Sequence, residues 1–227
     1  MLNQKHTGRP GLPGGALRAI CFFAALMFCG PASWGQESRM TATDPDGSFY
    51  AVSSRYNNRN EYLHISKMGR YGGMIWQADY DTGAGMKAIG VVANSGGLVI
   101  LAATRDGDER SFSLIYYTFD NFMRRNVPSN ARGAVPVALA TDKRDNIYVA
   151  LNTKRVNQAV AELWKYDRDG AFFWSAVFDP PTNAYAQEVQ TQFNGDIAFG
   201  VTVPAGSYRG EYEKLLLLFN SNGARLN

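Results

Sequence analysis

Few residues of this chain have side chains suited to acid–base, nucleophilic or metal chemistry. Histidine occurs only as His6 and His64, and cysteine only as Cys21 and Cys29. His64 lies in the alternating run 62–66, which predicts a strand, where a lone histidine is usually packed or hydrogen-bonded. It can act as a general base, but no nucleophile motif such as G-x-S-x-G accompanies it. We therefore predict no catalytic residue, no metal site and no cofactor.

Carboxylates are more plentiful and keep one enzymatic alternative open. Acidic residues cluster at Asp79 and Asp81, at Asp106, Asp108 and Glu109, and at Glu211 and Glu213. A glycosidase needs two carboxyl groups at a defined separation, and the spacing within these clusters does not show it. The alternatives are a carbohydrate-active hydrolase using Asp106 and Asp108 or a quinoprotein-like catalyst. The stretches 44–47 and 167–170 resemble calcium loops but lack the late bidentate glutamate, so hairpin turns explain them better.

The first 35 residues have the composition of an export signal. Three basic residues and no acidic one precede the apolar run 19–30, and small residues then lead to Gly35. This order is typical of a secretory signal peptide, and the apolar run is shorter than the roughly 20 residues of a membrane span. We predict a signal peptide at 1–35, a mature domain at 36–227 without a membrane span, and a periplasmic or secreted location.

The charge of the mature chain gives no reason to expect a nucleic-acid partner. Three of the 23 Lys and Arg lie before residue 36, which leaves 20 against 20 Asp and Glu, a formal net charge of zero. Nucleic-acid binding depends on excess positive charge. Both cysteines also lie in the leader, so the mature chain contains no thiol and no disulfide.

Self-similarity is the most informative feature of the mature chain. A shift of 98 residues superimposes identical residues: Ala42-Thr43-Asp44 on Ala140-Thr141-Asp142, Tyr50 on Tyr148, Lys67 on Lys165, Trp76 on Trp174 and Asp81 on Asp179. Half that shift finds two more divergent copies. The unit of about 49 residues gives four repeats, at approximately 40–88, 89–136, 137–185 and 186–227.

Each repeat has the pattern of four short strands. In the third copy the predicted strands are Val137–Thr141, Ile147–Leu151, Glu162–Tyr166 and Ala171–Phe178, rich in β-branched and aromatic residues. Asp, Asn and Gly between them favour tight antiparallel turns. Four-stranded antiparallel units at this spacing are typical of propeller blades. We predict an all-β, β-propeller-type array of four blades.

The motif at 140–174, A-T-D-x-x-x-N-I-Y-V-A followed by L-W-K-Y-D-x-D-G-x-F-x-W, resembles the bacterial β-propeller repeats called SBBP repeats. It is also similar to NHL repeats and to quinoprotein-like propeller blades. The resemblance implies that Trp76 and Trp174 dock neighbouring blades. Copies two and four lack the tryptophan, with Val127 and Asn227 at the equivalent places. The last blade is therefore predicted to be incomplete. Either residues 36–39 help to close the ring, or the array is open, and the unpaired edge of an open array favours a homodimer.

In a propeller the strand 2–3 loops and the blade-connecting loops share one face, where binding residues collect. The strand 2–3 loops are predicted at 53–61, 105–111, 154–160 and 205–213. Their candidate ligand-binding residues are Arg55, Tyr56, Arg59, Arg105, Asp106, Arg110, Arg155, Tyr208 and Arg209. Arg and Tyr dominate interface energetics. We predict a non-enzymatic module that binds a protein or carbohydrate on this face; the alternatives are the enzymes above and a structural self-assembly unit.

Overall fold

Four antiparallel sheets, connected in chain order, make up the fold. The computed structural model describes residues 40–107, 109–129, 131–156, 158–205 and 211–227, apart from the side chain of Asp106. The predicted signal peptide lies outside these residues. Within the described part of the chain no helix has the length and apolar character needed to cross a membrane.

Each sheet is an up-and-down meander of strands that follow one another in sequence. Blade 1 consists of β1 (Met40–Thr43), β2 (Phe49–Tyr56), β3 (Glu61–Met68) and β4 (Met74–Tyr80). Blade 2 consists of β5 (Gly85–Asn94), β6 (Gly97–Asp106), β7 (Glu109–Tyr117) and β8 (Met123–Pro128). Blade 3 consists of β9 (Val135–Thr141), β10 (Ile147–Arg155), β11 (Gln158–Tyr166) and β12 (Phe172–Phe178). Blade 4 consists of β13 (Tyr185–Thr191), β14 (Ile197–Pro204) and β15 (Tyr212–Phe219).

The first strands of consecutive blades contact one another, β1 with β5, β5 with β9 and β9 with β13. The central strands of the inner blades are buried on both faces, because successive strand residues point to opposite sides. In β10, Ile147 and Val149 pack towards blade 2, whereas Tyr148 and Ala150 pack towards blade 4. This two-sided burial explains why the strands are continuous apolar runs and not alternating ones.

The buried apolar residues form three clusters, and each joins two consecutive blades. Tyr50, Ile65 and Ile100 belong to the cluster between blades 1 and 2. The second cluster joins blades 2 and 3, and the third joins blades 3 and 4. Sheets that stack face to face in this way, with their first strands in contact, form a β-propeller-type array. The predicted all-β class is thus confirmed, as is the three-stranded last blade.

The structure corrects the predicted strand 2–3 loops. β10 and β11 continue to Arg155 and from Gln158, so the predicted loop at 154–160 is mostly strand. The same holds in blade 2, where β6 and β7 pair as far as Asp106 and Glu109. These hairpin tips project beyond the core, and their polar composition reflects exposed strand ends.

The edge of β15 is partly covered by the residues that follow it. Phe219 forms an isolated bridge with Arg225, and Leu226 N–H donates to the carbonyl of Leu218. The side chain of Asn227 accepts from Leu218 N at 2.9 Å and donates to Leu216 O at 2.9 Å. The chain itself thus occupies part of the edge that we predicted to be free for a second copy.

Candidate binding face

The antiparallel strands place two kinds of connection at opposite ends of the blades. One end, which we call the loop face, carries the β2–β3 type hairpins and the blade connections 81–84, 129–134 and 179–184. The other end, the turn face, carries the short turns between the first and second and between the third and fourth strands. The topology therefore places the predicted binding residues at one end of the array.

The candidate residues lie at exposed strand ends on the loop face, distributed over three blades. Arg55 and Tyr56 end β2, Arg59 lies in the following turn, and Arg155 ends β10. In blade 2, Arg105 and Arg110 pair directly across the β6–β7 hairpin, an unfavourable like-charge pairing. Tyr208 and Arg209 lie outside the described residues, as does the side chain of Asp106.

One concave region on this face contains a predicted residue. An open depression of about 710 Å³ lies between the β10–β11 hairpin, the blade 3–4 connection and the end of β14. Its described lining residues are Arg155, Val156, Gln158, Asp179, Pro181, Thr182, Asn183 and Pro204. Its size is within the range of sites for small ligands.

Two amide side chains of the depression, Gln158 and Asn183, join the hairpin to the blade connection through hydrogen bonds to backbone groups. Gln158 Nε2 donates to Thr182 O at 2.6 Å and also to Pro180 O. Asn183 Oδ1 accepts from Ala159 N at 2.9 Å. The connection is therefore held against the hairpin, and the wall of the depression is preformed.

Asp179 differs from these two amides, because no hydrogen bond from a described residue reaches its carboxylate. Its one ionic partner among these residues is Arg155, whose Nη1 is 3.9 Å from Oδ2, and 45% of the Asp179 side chain is exposed. An exposed pair at that distance contributes about 0–1 kcal/mol. Both groups are thus available to a ligand at little energetic cost.

The first repeat lacks this availability. At the matching place in blade 1, Asp81 accepts from Asn57 Nδ2 at 3.0 Å, from Asn60 Nδ2 at 2.6 Å and from Gly83 N at 2.8 Å. The bond from Gly83 N, together with those from the two amides, lowers the pKa of Asp81 below 3.8. A shift of 98 residues turns Asn57 into Arg155 and Asn60 into Gln158, so the carboxylate of Asp179 loses both amide donors.

Val156 adds a strained backbone conformation at the rim of the depression. It has φ of 54°, a left-handed conformation that is unfavourable for a β-branched residue, and its side chain is 96% exposed. An exposed apolar side chain held in this conformation gives the depression an apolar edge beside its polar floor.

The turn face contains the residues that dock the blades. In blade 1, Tyr50 OH donates to Asp44 Oδ2 at 3.0 Å, and Lys67 Nζ lies 3.3 Å from the same oxygen. Lys67 Nζ also donates to Phe119 O at 3.4 Å, and Trp76 Nε1 donates to that carbonyl at 3.3 Å. Burial acts to lower the pKa of Lys67, but the bonds with Tyr50 and Asp44 outweigh it and raise the pKa.

Blade 3 repeats this arrangement on blade 4. Tyr148 OH donates to Asp142 Oδ2 at 3.0 Å, and both Lys165 Nζ, at 2.7 Å, and Trp174 Nε1, at 3.3 Å, donate to Ser221 O. We call each such set of Asp, Tyr, Lys and Trp an interblade clamp. Its contacts support the docking role that the resemblance implies for Trp76 and Trp174.

The structure corrects one equivalence drawn from the sequence. Trp76 pairs with Lys67 and Trp174 pairs with Lys165, and in blade 2 the residue at that register position is Arg125, opposite Tyr116. Val127 lies two residues further along β8. The even spacing of 49 residues identifies Arg125 as the equivalent of the two tryptophans. Residue identity does not show this equivalence, because arginine replaces tryptophan there.

His64 is buried, as predicted, with 7% of its surface exposed. Its Nδ1 lies 2.6 Å from Oδ1 of Asp79, the residue opposite it across β3 and β4. The imidazole and carboxylate therefore form a hydrogen-bonded pair in blade 1, away from the depression. Among the described residues, no three histidine, cysteine or acidic side chains are close enough together to hold a metal ion.

Comparison with known proteins leaves the family open. No family of proteins matches the chain, and no curated protein matches it either. A solved structure, a GH43 endo-arabinanase from Bacillus licheniformis, is similar over 82% of this chain and 75% of its own, with 9% sequence identity and a TM-score of 0.43.

Proposed function

We propose that the protein is a non-catalytic binding module that takes a glycan in the depression between blades 3 and 4. The observation that carries the proposal is the Asp179 carboxylate, which lies half-exposed in a concave site without the amide donors that satisfy Asp81 in the first repeat. Carboxylate, guanidinium and amide groups beside an apolar edge suit a sugar, whose hydroxyls donate and accept while its C–H faces pack on apolar side chains.

A glycosidase is the enzymatic alternative, and the lining of the depression favours binding. Both retaining and inverting enzymes use two carboxyl groups on opposite sides of the bond that is cleaved. Asp179 is the one carboxylate among the described lining residues. A protein partner is the other alternative for this face, and the arginine pair Arg105 and Arg110 in blade 2 is the feature that favours it.

The export signal and the SBBP-like character of the repeats remain parts of this proposal. The motif at 140–174 supports the repeat family, and the composition of 1–35 supports export to the periplasm or the medium. A glycan ligand fits such a location, where cell-surface and environmental polysaccharides are accessible.

The test is binding of the fluorescently labelled protein to a panel of immobilised oligosaccharides, followed by titration of those that bind. Asp179→Ala should weaken binding at least about tenfold, because a ligand hydroxyl bonded to a charged group contributes about 1.5–3 kcal/mol. Lys154→Ala is the matched control: the residue is exposed next to Arg155 but lies outside the lining, and binding should change less than about twofold.

Two results would reject the glycan. One is that no oligosaccharide of the panel binds; the other is that Asp179→Ala binds as tightly as the parent. Affinity capture from an envelope extract, with Arg105→Ala and Arg155→Ala variants as comparison, then tests the protein alternative. Release of reducing sugar during incubation with the bound oligosaccharide would instead establish the hydrolase.

A further inference from the structure

The interface between blades 2 and 3 lacks the interblade clamp seen at the other two interfaces. Tyr116 and Arg125 stand at the register positions that Lys and Trp occupy in blades 1 and 3. Arg125 Nη1 donates to the carbonyl of Asp169 in the β11–β12 turn, so one contact to the neighbouring turn is retained. Val127 and the ring of Tyr116, and not an indole ring, lie against Gly170 of the same turn.

A pocket of about 140 Å³ occupies this place on the turn face. It is lined by Tyr116, Arg124, Arg125, Arg168 and Asp169. The volume exceeds that of a single water site and suffices for a small oxyanion. The lining residues include three guanidinium groups and one carboxylate, so the pocket carries excess positive charge.

The acidic groups nearby leave this excess in place. The Asp169 carboxylate lies beside Arg168, with Oδ2 3.7 Å from Nε, and offsets one of the three guanidinium charges. Asp167 is not among the lining residues, and its Oδ1 accepts from the backbone N–H groups of Asp169 and Ala171. Arg124, which folds against Gly96 of blade 2, has no carboxylate partner within salt-bridge distance among the described residues.

The hydroxyl of Tyr116 points to a ligand independently of the arginines. Tyr116 is 5% exposed, and its OH has no hydrogen-bond partner in the described part of the chain. A buried polar group without a partner destabilises the folded state, and such groups are rare in folded proteins. Burial, together with the nearby charge of Asp167, raises the pKa of Tyr116, so the phenol stays protonated and can donate.

We propose that this pocket binds an oxyanion, accepting a hydrogen bond from Tyr116 OH and ion-paired with Arg124 and Arg168. The chemical class is a phosphate, a sulfate or the carboxylate of an acidic sugar, all of which offer planar or tetrahedral acceptor oxygens to guanidinium forks. The site is at the opposite end of the blades from the depression, so it is independent of the proposed glycan site and can anchor a second, charged group of a polysaccharide or a free anion.

Isothermal titration of the full-length protein with inorganic phosphate, sulfate or glucuronate, at constant ionic strength in sodium chloride, tests the proposal. One saturable site per chain is expected for at least one of the three anions, and which anion binds identifies its source. Tyr116→Phe removes only the hydroxyl and should weaken binding about tenfold or more. Arg124→Gln, an exposed change that leaves the core intact, should weaken it comparably.

The matched control is Arg144→Gln, another exposed arginine on the turn face, which should bind the anion like the parent. Absence of a saturable heat for all three anions overturns the site. So does binding that Tyr116→Phe and Arg124→Gln leave unchanged, since the anion would then lie elsewhere on the protein. Circular dichroism checks that each variant is folded. If Tyr116→Phe does not fold, Arg124→Gln still decides the test.

Discussion

Removal of one clamp tryptophan should measure how strongly consecutive blades are held together. In Trp174→Ala the hydrogen bond to Ser221 O at 3.3 Å is lost, a contribution of about 1 kcal/mol. The ring also packs beside Tyr148, with centroids 6.2 Å apart, and against Gly223; losing this half-buried packing costs about 2 kcal/mol. The expected total is about 3 kcal/mol, at the lower end of the range for Trp→Ala changes.

Thermal unfolding followed by circular dichroism is the assay. For a domain of 150–250 residues each kcal/mol lowers Tm by about 2–4 °C, so Trp174→Ala should unfold about 6–12 °C below the parent. Trp76→Ala should behave alike, because Trp76 donates to Phe119 O at the same distance of 3.3 Å. Phe122→Ala, at an exposed aromatic residue, is the control and should change Tm by less than about 2 °C. A Trp174→Ala loss no larger than that of the control would refute the docking role.

Two further predictions concern the same turns. Gly72→Ala and Gly223→Ala place a Cβ at φ of 87° and 85°, but only at Gly223 does the new atom meet a side chain, the Trp174 ring at 2.9 Å. In denaturant unfolding, Gly72→Ala should lower the free energy of unfolding by about 1–2 kcal/mol, and Gly223→Ala should lower it clearly more. Equal losses for the two variants would contradict the clash. Burial acts to raise the pKa of Asp142, but bonds from neighbouring backbone and side-chain donors, Tyr148 OH included, hold it below 3.8. This stabilisation is complete above the unfolded-state pKa and is lost as the pH falls through the lower folded-state value, so Asp142→Asn should flatten the stability–pH curve below about pH 4, and an unchanged acid limb would argue against it.

The fold could be predicted from the sequence because the repeat and the residues typical of turns show where the strands begin and end. Asp, Asn and Gly recur where the chain must reverse, and identical residues 98 positions apart mark equivalent strands. The hairpin tips could not be placed, since strand residues such as Lys154 and Arg155 extend past the core and are polar on both sides. Polar residues at the hairpin tips predict a loop, although the backbone pairing of the two strands continues to the tip.

The candidate site was found only in part for a different reason. The type and position of Arg155 identify it in the sequence, whereas Asp179, its partner in the depression, stands out there only as a residue repeated at 98 positions. The signal that identifies it is comparative: the carboxylate is kept in both copies, while Asn57 and Asn60, which bind it in the first copy, are replaced in the second. Tyr116 gave no such signal, because an unsatisfied hydroxyl is visible only once the neighbouring turn is in place.

The contacts also explain why copies of the repeat 98 residues apart share many identical residues, whereas copies 49 residues apart have diverged. A clamp needs a donor blade, with its Lys and Trp, and an acceptor blade, which supplies one turn carbonyl through its backbone. Blades 1 and 3 are donors, and blades 2 and 4 contribute Phe119 O and Ser221 O. A backbone acceptor places little demand on side-chain identity, so the acceptor copies are free to diverge. The structural unit is therefore a pair of blades. The interface between the two pairs, where a clamp is absent, is where the space for an anion opens.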